Sequence, residues 1–423
     1  MFKAKNFASF KDEIILDLRA TSYIQHPNHI LGVSDDIKLL KTIAIYGANA
    51  SGKSNLIEAM YFFEKYIFDQ FISKSKNEED PIQDSKIQIN LETFLLSDVV
   101  DDVSEFEIIF LHNNKQIQYG FECTGNSVLN EWYYIDNQMV FKRTAQNVRY
   151  GNNYSKELKA YNKIPSERLY LSVLEYFLED DKKAIILQDF INFFIEEYNV
   201  YFEIFIETSI KRIAGSIRLH EKLLENSDYR SKVEHYLKQI DFGICGLDVQ
   251  EKAIINPKTG KEELKKIVKT IHNVYNEADE ITKQEYFDLK QESTGTIRFL
   301  SYIQSIIDMT EQGGVLIVDE LSARLHPLLT KLIVDIFQSS SNAKAQLIFT
   351  THDISLLNKE QFRRDEVVFI DKDNRGVSKI YALSDLKVRE DATFSKDYLQ
   401  GKYGAIPIFN YDDIIGGNED GND

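Results

Sequence analysis

The chain has 423 residues, a formal net charge of −17 and 43% hydrophobic residues. That length suffices for two or three domains with a sizeable core, and the charge argues against a broad nucleic-acid-coating surface while leaving a local basic groove open. No run approaches the ~20 apolar residues of a membrane span. The opening MFKAKNFASFKDEI has neither the apolar core nor the small-residue cleavage site of a signal peptide, so a cytoplasmic protein is expected. The two cysteines, Cys123 and Cys245, form no metal-binding pattern and read as free thiols.

In chain order, FKAKNFASFKDEIILDL (Phe2–Leu18) alternates well enough for two strands and a turn. KTIAIY reads as a buried strand and KSNLIEAMYFFEKYIF, from Lys53, as the helix that follows. Between them Gly47, Gly52, Lys53 and Ser54 satisfy G-x-x-x-x-G-K-[ST], a phosphate-binding loop. Its glycines let backbone N–H groups turn inward, and the helix N-terminus adds partial positive charge. Lys53 is placed to reach the β- and γ-phosphates, and Ser54 to ligate Mg²⁺. ATP and Mg²⁺ are therefore the expected cofactors.

A polar stretch, SKSKNEEDPIQDSK, reads as a loop. FEIIFLHNNKQIQYGFEC predicts a hairpin turning at Asn113-Asn114, and EWYYIDNQMVFKR another turning at Asp136-Asn137, together an antiparallel layer beside the nucleotide-binding sheet. From Pro165 to Ile240 the pattern is helical and rich in aromatics. No heptad persists for three repeats, which argues against long coiled-coil arms. Strand-like GLDVQEKAII and KKIVKTIHNVY follow. The basic stretches Lys211–Lys222 and Lys258–Lys269 read as solvated faces. The tail GGNEDGND is acidic and is expected to be disordered.

QGGVLIVDE (Gln312–Glu320) is an apolar strand delivering two acids to its end. Asp319 would hold Mg²⁺ through water, and Glu320 would orient and polarise the attacking water. QLIFTTHD (Gln346–Asp353) is a second such strand, which places His352 toward the γ-phosphate. In ESTGTIRFLSYIQSI, Ser293 and Gly295 open an amphipathic helix. They serve either as a plain cap or as a second phosphate reader facing a neighbouring subunit's nucleotide.

This order of parts resembles the ABC-type ATPases, specifically the SMC/RecF-like branch. Gly47, Asn49, Ala50, Ser51, Gly52, Lys53, Ser54 and Asn55 match that branch's loop G-x-N-[GA]-[SAT]-G-K-[ST]-N, and NFASF (Asn6–Phe10) matches its first strand. Ser293 to Arg298 corresponds to the signature helix. DELSARLHP corresponds to Walker B and the D-loop, which would set Ser322 and Arg324 at a dimer seam. The resemblance implies an α/β fold: an ABC-type P-loop ATPase head, a mixed sheet plus an antiparallel β-layer, carrying a mainly helical insertion. The implied division is 1–153 and 282–410 for the two parts of the head, 154–281 for the insertion and 411–423 for the tail. Two features depart from the pattern. Ala8 stands where relatives often have Arg, and no Q-loop glutamine is placed, although Gln83 and Gln88 lie in the right region.

The stretch Arg363–Pro407, above all YLQGKYGAIP, resembles the C-terminal region of RloA-like and abortive-infection ATPases. Those are bacterial stand-alone ATPases encoded beside an effector gene of RloB-like, TOPRIM or HNH type. The resemblance implies an ATP-hydrolysing sensor or scaffold in phage defence, a head-to-head dimer or larger oligomer, a separate effector and a phage trigger. The alternative is a RecF-like DNA-maintenance ATPase, which needs a basic surface. A transporter motor would carry LSGGQ and a far shorter gap than Ser54 to Ser293. A small-molecule kinase would need neither signature nor His352. Asp371 and Asp373 in IDKD suggest a TOPRIM nuclease of the OLD type, but the stretch after them is short for that domain, and VVFIDKDNRGVSKIYAL fits a hairpin equally.

Overall fold

Two large sheets share one helix, and that sharing positions the phosphate-binding loop. The computed structural model describes residues 1–32, 37–71, 91–99, 101–159, 164–201, 221–255, 262–389 and 392–407. Gln83, Gln88, the 411–423 tail, the loop at 73–86 and nearly all of the basic stretch at 211–222 lie outside the described residues.

The first sheet is antiparallel, with seven strands: β1 (Phe2–Lys5), β2 (Ile14–Leu16), β6 (Ser104–His112), β7 (Lys115–Cys123), β8 (Val128–Ile135), β9 (Gln138–Thr144) and β10 (Asn147–Tyr150), in the order β10-β9-β8-β7-β6-β1-β2. The short hairpin β3 (Ile30–Gly32) and β4 (Lys38–Leu40) leads into the second sheet. Asn113, Asn114, Asp136 and Asn137 all have positive φ, as two-residue hairpin turns demand. The antiparallel layer therefore forms where the sequence places it.

The second sheet has six strands: β5 (Thr42–Tyr46), β11 (Tyr198–Tyr201), β15 (Gly314–Val318), β16 (Ala345–Thr350), β17 (Val367–Lys372) and β18 (Ser378–Ala382). Its order is β11-β15-β16-β5-β17-β18, parallel throughout except for the β17–β18 hairpin. Helix α1 (Lys53–Phe68) lies between the two sheets. Phe63 stacks on Phe121 at 5.5 Å between centroids and meets Phe2 edge-on at 5.9 Å. Fully burying each such ring contributes about 1.5–3 kcal/mol.

Along β5 the side chains alternate between two cores. Ile43 and Ile45 face the α1 core, and Ala44 and Tyr46 face a second core under the opposite side of the sheet. That second core is built on helix α2 (Ser227–Ile240), helix α3 (Thr294–Gln312) and helix α4 (Pro327–Gln338). Burial on both faces explains the continuous apolar runs of β5, β15 and β16.

Within 154–281 the described residues form short helices, among them Tyr170–Phe177 and Asp180–Ile186, together with α2 and three strand segments. Tyr198–Tyr201 pairs parallel with β15, so a segment with a helix-compatible apolar pattern is the edge of the six-stranded sheet. The strand-like segments form β12 (Ile244–Ile255) and β13 (Glu262–Tyr275), joined by β14 (Ile281–Asp288) into an antiparallel sheet. β14 delivers the chain to Ser293.

Candidate active site

The loop Gly47–Ser54 leaves the C-terminal end of β5 and enters α1. Ala50 has φ 62° and Gly52 φ 111°. A Cβ on Gly47 would lie 2.4 Å from the Ile370 carbonyl oxygen, and one on Gly52 would lie 2.6 Å and 2.7 Å from the hydroxyls of Ser378 and Ser9. Both positions therefore exclude a side chain. Gly52 is the N-cap of α1 and offers no side chain to it, so the helix's first N–H groups have no capping acceptor from that residue.

Lys53 is buried, and its Nζ donates to the carbonyls of Gly47 and Ala48 at 3.0 Å each. Burial lowers its pKa, and Glu320 and Asp319 push it back up. The Ser51 hydroxyl is buried in the loop with no hydrogen-bond partner. Asn49 and Ala50 are exposed.

The acids arrive from β15 and the histidine from β16, two strands in parallel register with Val318 beside Phe349. Burial raises the pKa of Asp319, and hydrogen bonds from Thr350 and Ser54 oppose that shift. Glu320, at φ 52°, places Oε1 3.1 Å from Nε2 of His352. Burial alone would raise its pKa, but His352, Lys53 and Arg298 outweigh burial and hold it below the usual carboxylate value. The buried Arg298 donates from Nη2 to the Glu320 carbonyl at 2.8 Å, tying α3 to the turn after β15.

Lys53, Ser54, Asp319, Glu320 and His352 thus meet at one end of one sheet. The arrangement fits a nucleoside triphosphate with a divalent cation. A glycine cradle, an unpartnered buried hydroxyl and an uncapped helix end accept phosphate, while the Ser54 hydroxyl and the Asp319 carboxylate are hard oxygen donors suited to Mg²⁺. Bound there, the cation would supply charge stabilisation to the β- and γ-phosphate oxygens.

Ser293 caps α3, its Oγ accepting from Thr296 N at 3.0 Å. Such a cap contributes about 1 kcal/mol, so the plain reading of Ser293 is met within one chain. Ser293 and Arg324 are both exposed, and a Cβ on Gly295 would lie 3.1 Å from the Arg324 carbonyl oxygen. The start of α3 and the turn after β15 therefore lie against each other, with Ser293 and Arg324 exposed and Gly295 half-buried between them. Ser322 Oγ lies 2.9 Å from Thr351 Oγ1.

Sequence reasoning gave no role to several residues that shape the site. Ser9, inside NFASF, shares a hydrogen bond with Ser378 at 2.7 Å and accepts one from Asn55 Nδ2 at 2.7 Å. Ser378 Oγ also donates to the Ser51 carbonyl at 2.6 Å. Asn6 clamps the segment before β6, its Nδ2 donating to the Asp101 and Val103 carbonyls and its Oδ1 accepting from Phe94 N. Ala8, at φ 48°, donates its N–H to the Glu92 carbonyl at 2.7 Å. Thr350 touches both acids. A hydroxyl at the end of an apolar strand was its one visible signal.

Asp373 folds the β17–β18 turn, accepting from Arg375 N and Val377 N. Asp371 faces Gly404 and Tyr381. β17 and β18 pair antiparallel on either side of that turn, with Asp371 opposite Lys379, so IDKD lies in a hairpin. YLQGKYGAIP packs on the sheet: Tyr398 stacks on Phe369 at 5.4 Å and meets Tyr46 at 6.1 Å.

Residues 43–358 match the family described as "AAA domain, putative AbiEii toxin, Type IV TA system". An uncharacterized protein of Methanocaldococcus jannaschii is 31% identical over 106 residues, which are 24% of this chain and 26% of that protein. The match spans about a quarter of that relative's length. Among solved structures, the chain is similar to an SMC head bound to the C-winged helix domain of ScpA (13% identity, 90% of this chain and 96% of that chain, TM-score 0.41). It is also similar to the SMC head domain from Thermotoga maritima (15% identity, 92% and 98%, TM-score 0.39). No helix among the described residues is long and apolar enough to cross a membrane.

Proposed function

The chain belongs to this AAA-domain, AbiEii-type family, and from that premise we propose that it is the ATP-hydrolysing sensor or scaffold of a bacterial anti-phage system, controlling a separately encoded effector. The AAA-domain assignment rests on the family match, and the ABC/SMC type on the order of phosphate loop, acidic strand and histidine strand in the chain. The observation that supports this reading is the convergence of Lys53, Ser54, Asp319, Glu320 and His352 on one sheet end.

In this reading Lys53 binds the β- and γ-phosphates, Ser54 and Asp319 hold Mg²⁺, Glu320 orients the attacking water and His352 contacts the γ-phosphate. The exposed Ser293 and Arg324, with Gly295 between them, then meet the nucleotide of a second copy, giving an ATP-dependent head-to-head dimer in the cytoplasm. A phage-derived trigger changes the hold of that dimer on the effector, a nuclease, TOPRIM or RloB-like protein.

The test is a plaque assay with this gene alone, its neighbouring gene alone, and both. Protection is expected only from both, and Lys53→Ala and Glu320→Gln should each abolish it. Protection by this gene alone, or ATP turnover stimulated by DNA in the absence of any partner, would overturn the reading.

A further inference from the structure

Beyond their pairing, β15 and β16 are stitched together by the residues that leave them. Thr350 is fully buried at the end of β16. Its Oγ1 donates to Oδ1 of Asp319 at 2.6 Å and accepts from the Glu320 N–H at 2.7 Å. A threonine hydroxyl has one proton and two lone pairs, so the proton is committed to one acid and a lone pair to the backbone of the other. The Thr350 carbonyl accepts from Leu321 N at 3.0 Å. Glu320 sits between these two anchors in the left-handed region, where a residue with a Cβ stays only if its surroundings hold it.

We propose that Thr350 is a positioning residue for hydrolysis: one hydroxyl sets the rotation of the Asp319 carboxylate and the backbone of Glu320 together. The inference rests on the ATPase reading above. With Oδ1 of Asp319 accepting from Thr350, the carboxylate's rotation is fixed, and Asp319 and Ser54 would hold the cation together. With the Glu320 N–H held, its side chain is kept where Oε1 reaches His352. Thr350 thereby joins metal binding to water activation without touching either cation or nucleotide. The neighbouring Thr351 serves a different partner, the D-loop Ser322.

Thr350→Val keeps the shape and removes both hydrogen bonds, while Thr350→Ser keeps the hydroxyl. Val should lower kcat by about a hundred-fold, the scale of an ångström-sized misplacement. It should also erase the Mg²⁺-dependent gain in equilibrium affinity for a fluorescent ATP analogue, with Mg²⁺-free affinity unchanged. Ser should restore both. Placed on Glu320→Gln, Thr350→Val should lower turnover by a smaller factor than it does in the wild type, because one of the two groups it orients is already gone, and it should still erase the Mg²⁺-dependent gain in affinity. If the wild-type protein does not hydrolyse Mg²⁺-ATP, the ATPase reading fails. If the wild type hydrolyses and Thr350→Val matches it, this inference fails. Loss of Mg²⁺-free binding in Val with no rescue by Ser would make Thr350 a purely structural residue and would likewise overturn it.

Discussion

Gly52→Ala tests whether the loop is shaped by what lies beneath it. Gly52 stands at φ 111°, and its new methyl would lie 2.6 Å from Ser378 Oγ, 2.7 Å from Ser9 Oγ and 3.1 Å from Ser378 Cβ. A left-handed backbone costs a residue with a Cβ roughly 1–2 kcal/mol. Driving the hydroxyls apart breaks the Ser378–Ser9 bond and the Ser378 bond to the Ser51 carbonyl, each worth about 1 kcal/mol. The combined penalty is about 3 kcal/mol. The fold need not absorb it, because the loop is exposed at Asn49 and Ala50 and can lift away from β18. Lifting spoils the convergence of the N–H groups, so the penalty should emerge in ligand affinity, at about 1.4 kcal/mol per decade. A fluorescent ATP analogue should bind on the order of a hundred-fold more weakly, with the thermal midpoint little changed. Wild-type affinity would refute the argument, as would a collapse of the midpoint with affinity intact in the surviving folded fraction.

Lys53→Ala should abolish nucleotide binding in an equilibrium titration, whereas Glu320→Gln should bind ATP normally and lose about 10²–10⁴-fold in turnover. Ser293→Arg should block hydrolysis and the ATP-dependent dimer seen by light scattering, yet leave binding by a single subunit intact; full activity from a strictly monomeric sample would contradict it. Burial pushes Asp189 up, but Lys115, Asn113 and His112 outweigh burial and hold its pKa below the ordinary carboxylate value. A depressed folded-state pKa contributes stability above the unfolded value and loses it as pH falls through the folded one. Asp189→Asn should therefore destabilise near neutrality and much less in strong acid, as urea melts would show. Glu131 and Arg143 are both fully buried, 3.6 Å apart, and Glu131 also accepts from the backbone of Tyr170 and Leu171. Glu131→Ala should cost roughly 3–5 kcal/mol in chemical denaturation.

What could be read early was local in sequence. The loop between β5 and α1, the acids ending β15 and the histidine after β16 are each written within a few residues. The Asn-Asn and Asp-Asn turns likewise carry their own backbone requirement. β11 could not be recognised that way, because YNVY lies inside an apolar run that satisfies a helix as well as a buried strand. β14 was hidden for the opposite reason: it is a mostly exposed strand whose ITKQEYFD shows little apolar alternation. Thr350 acquires its contacts only once β15 and β16 lie in register. Ser9 and Ser378 acquire theirs only once β1 and β18 reach the same loop. Side chains whose purpose depends on strand order have no signature before that order is known.

The Ser9–Ser378 contact also sets a timetable for biosynthesis. These serines are 369 positions apart, and both press on Gly52. A ribosome adding roughly 5–20 residues per second releases Ser378 about 15–65 s after Gly52. Throughout that interval the nascent chain displays the GANASGKS motif without the support that shapes it. ATP should therefore give little stabilisation to an unfinished chain, and only chains that have closed this long loop gain the ligand's contribution. Nucleotide occupancy would then separate completed molecules from stalled ones, a form of quality control that needs no chaperone to read it.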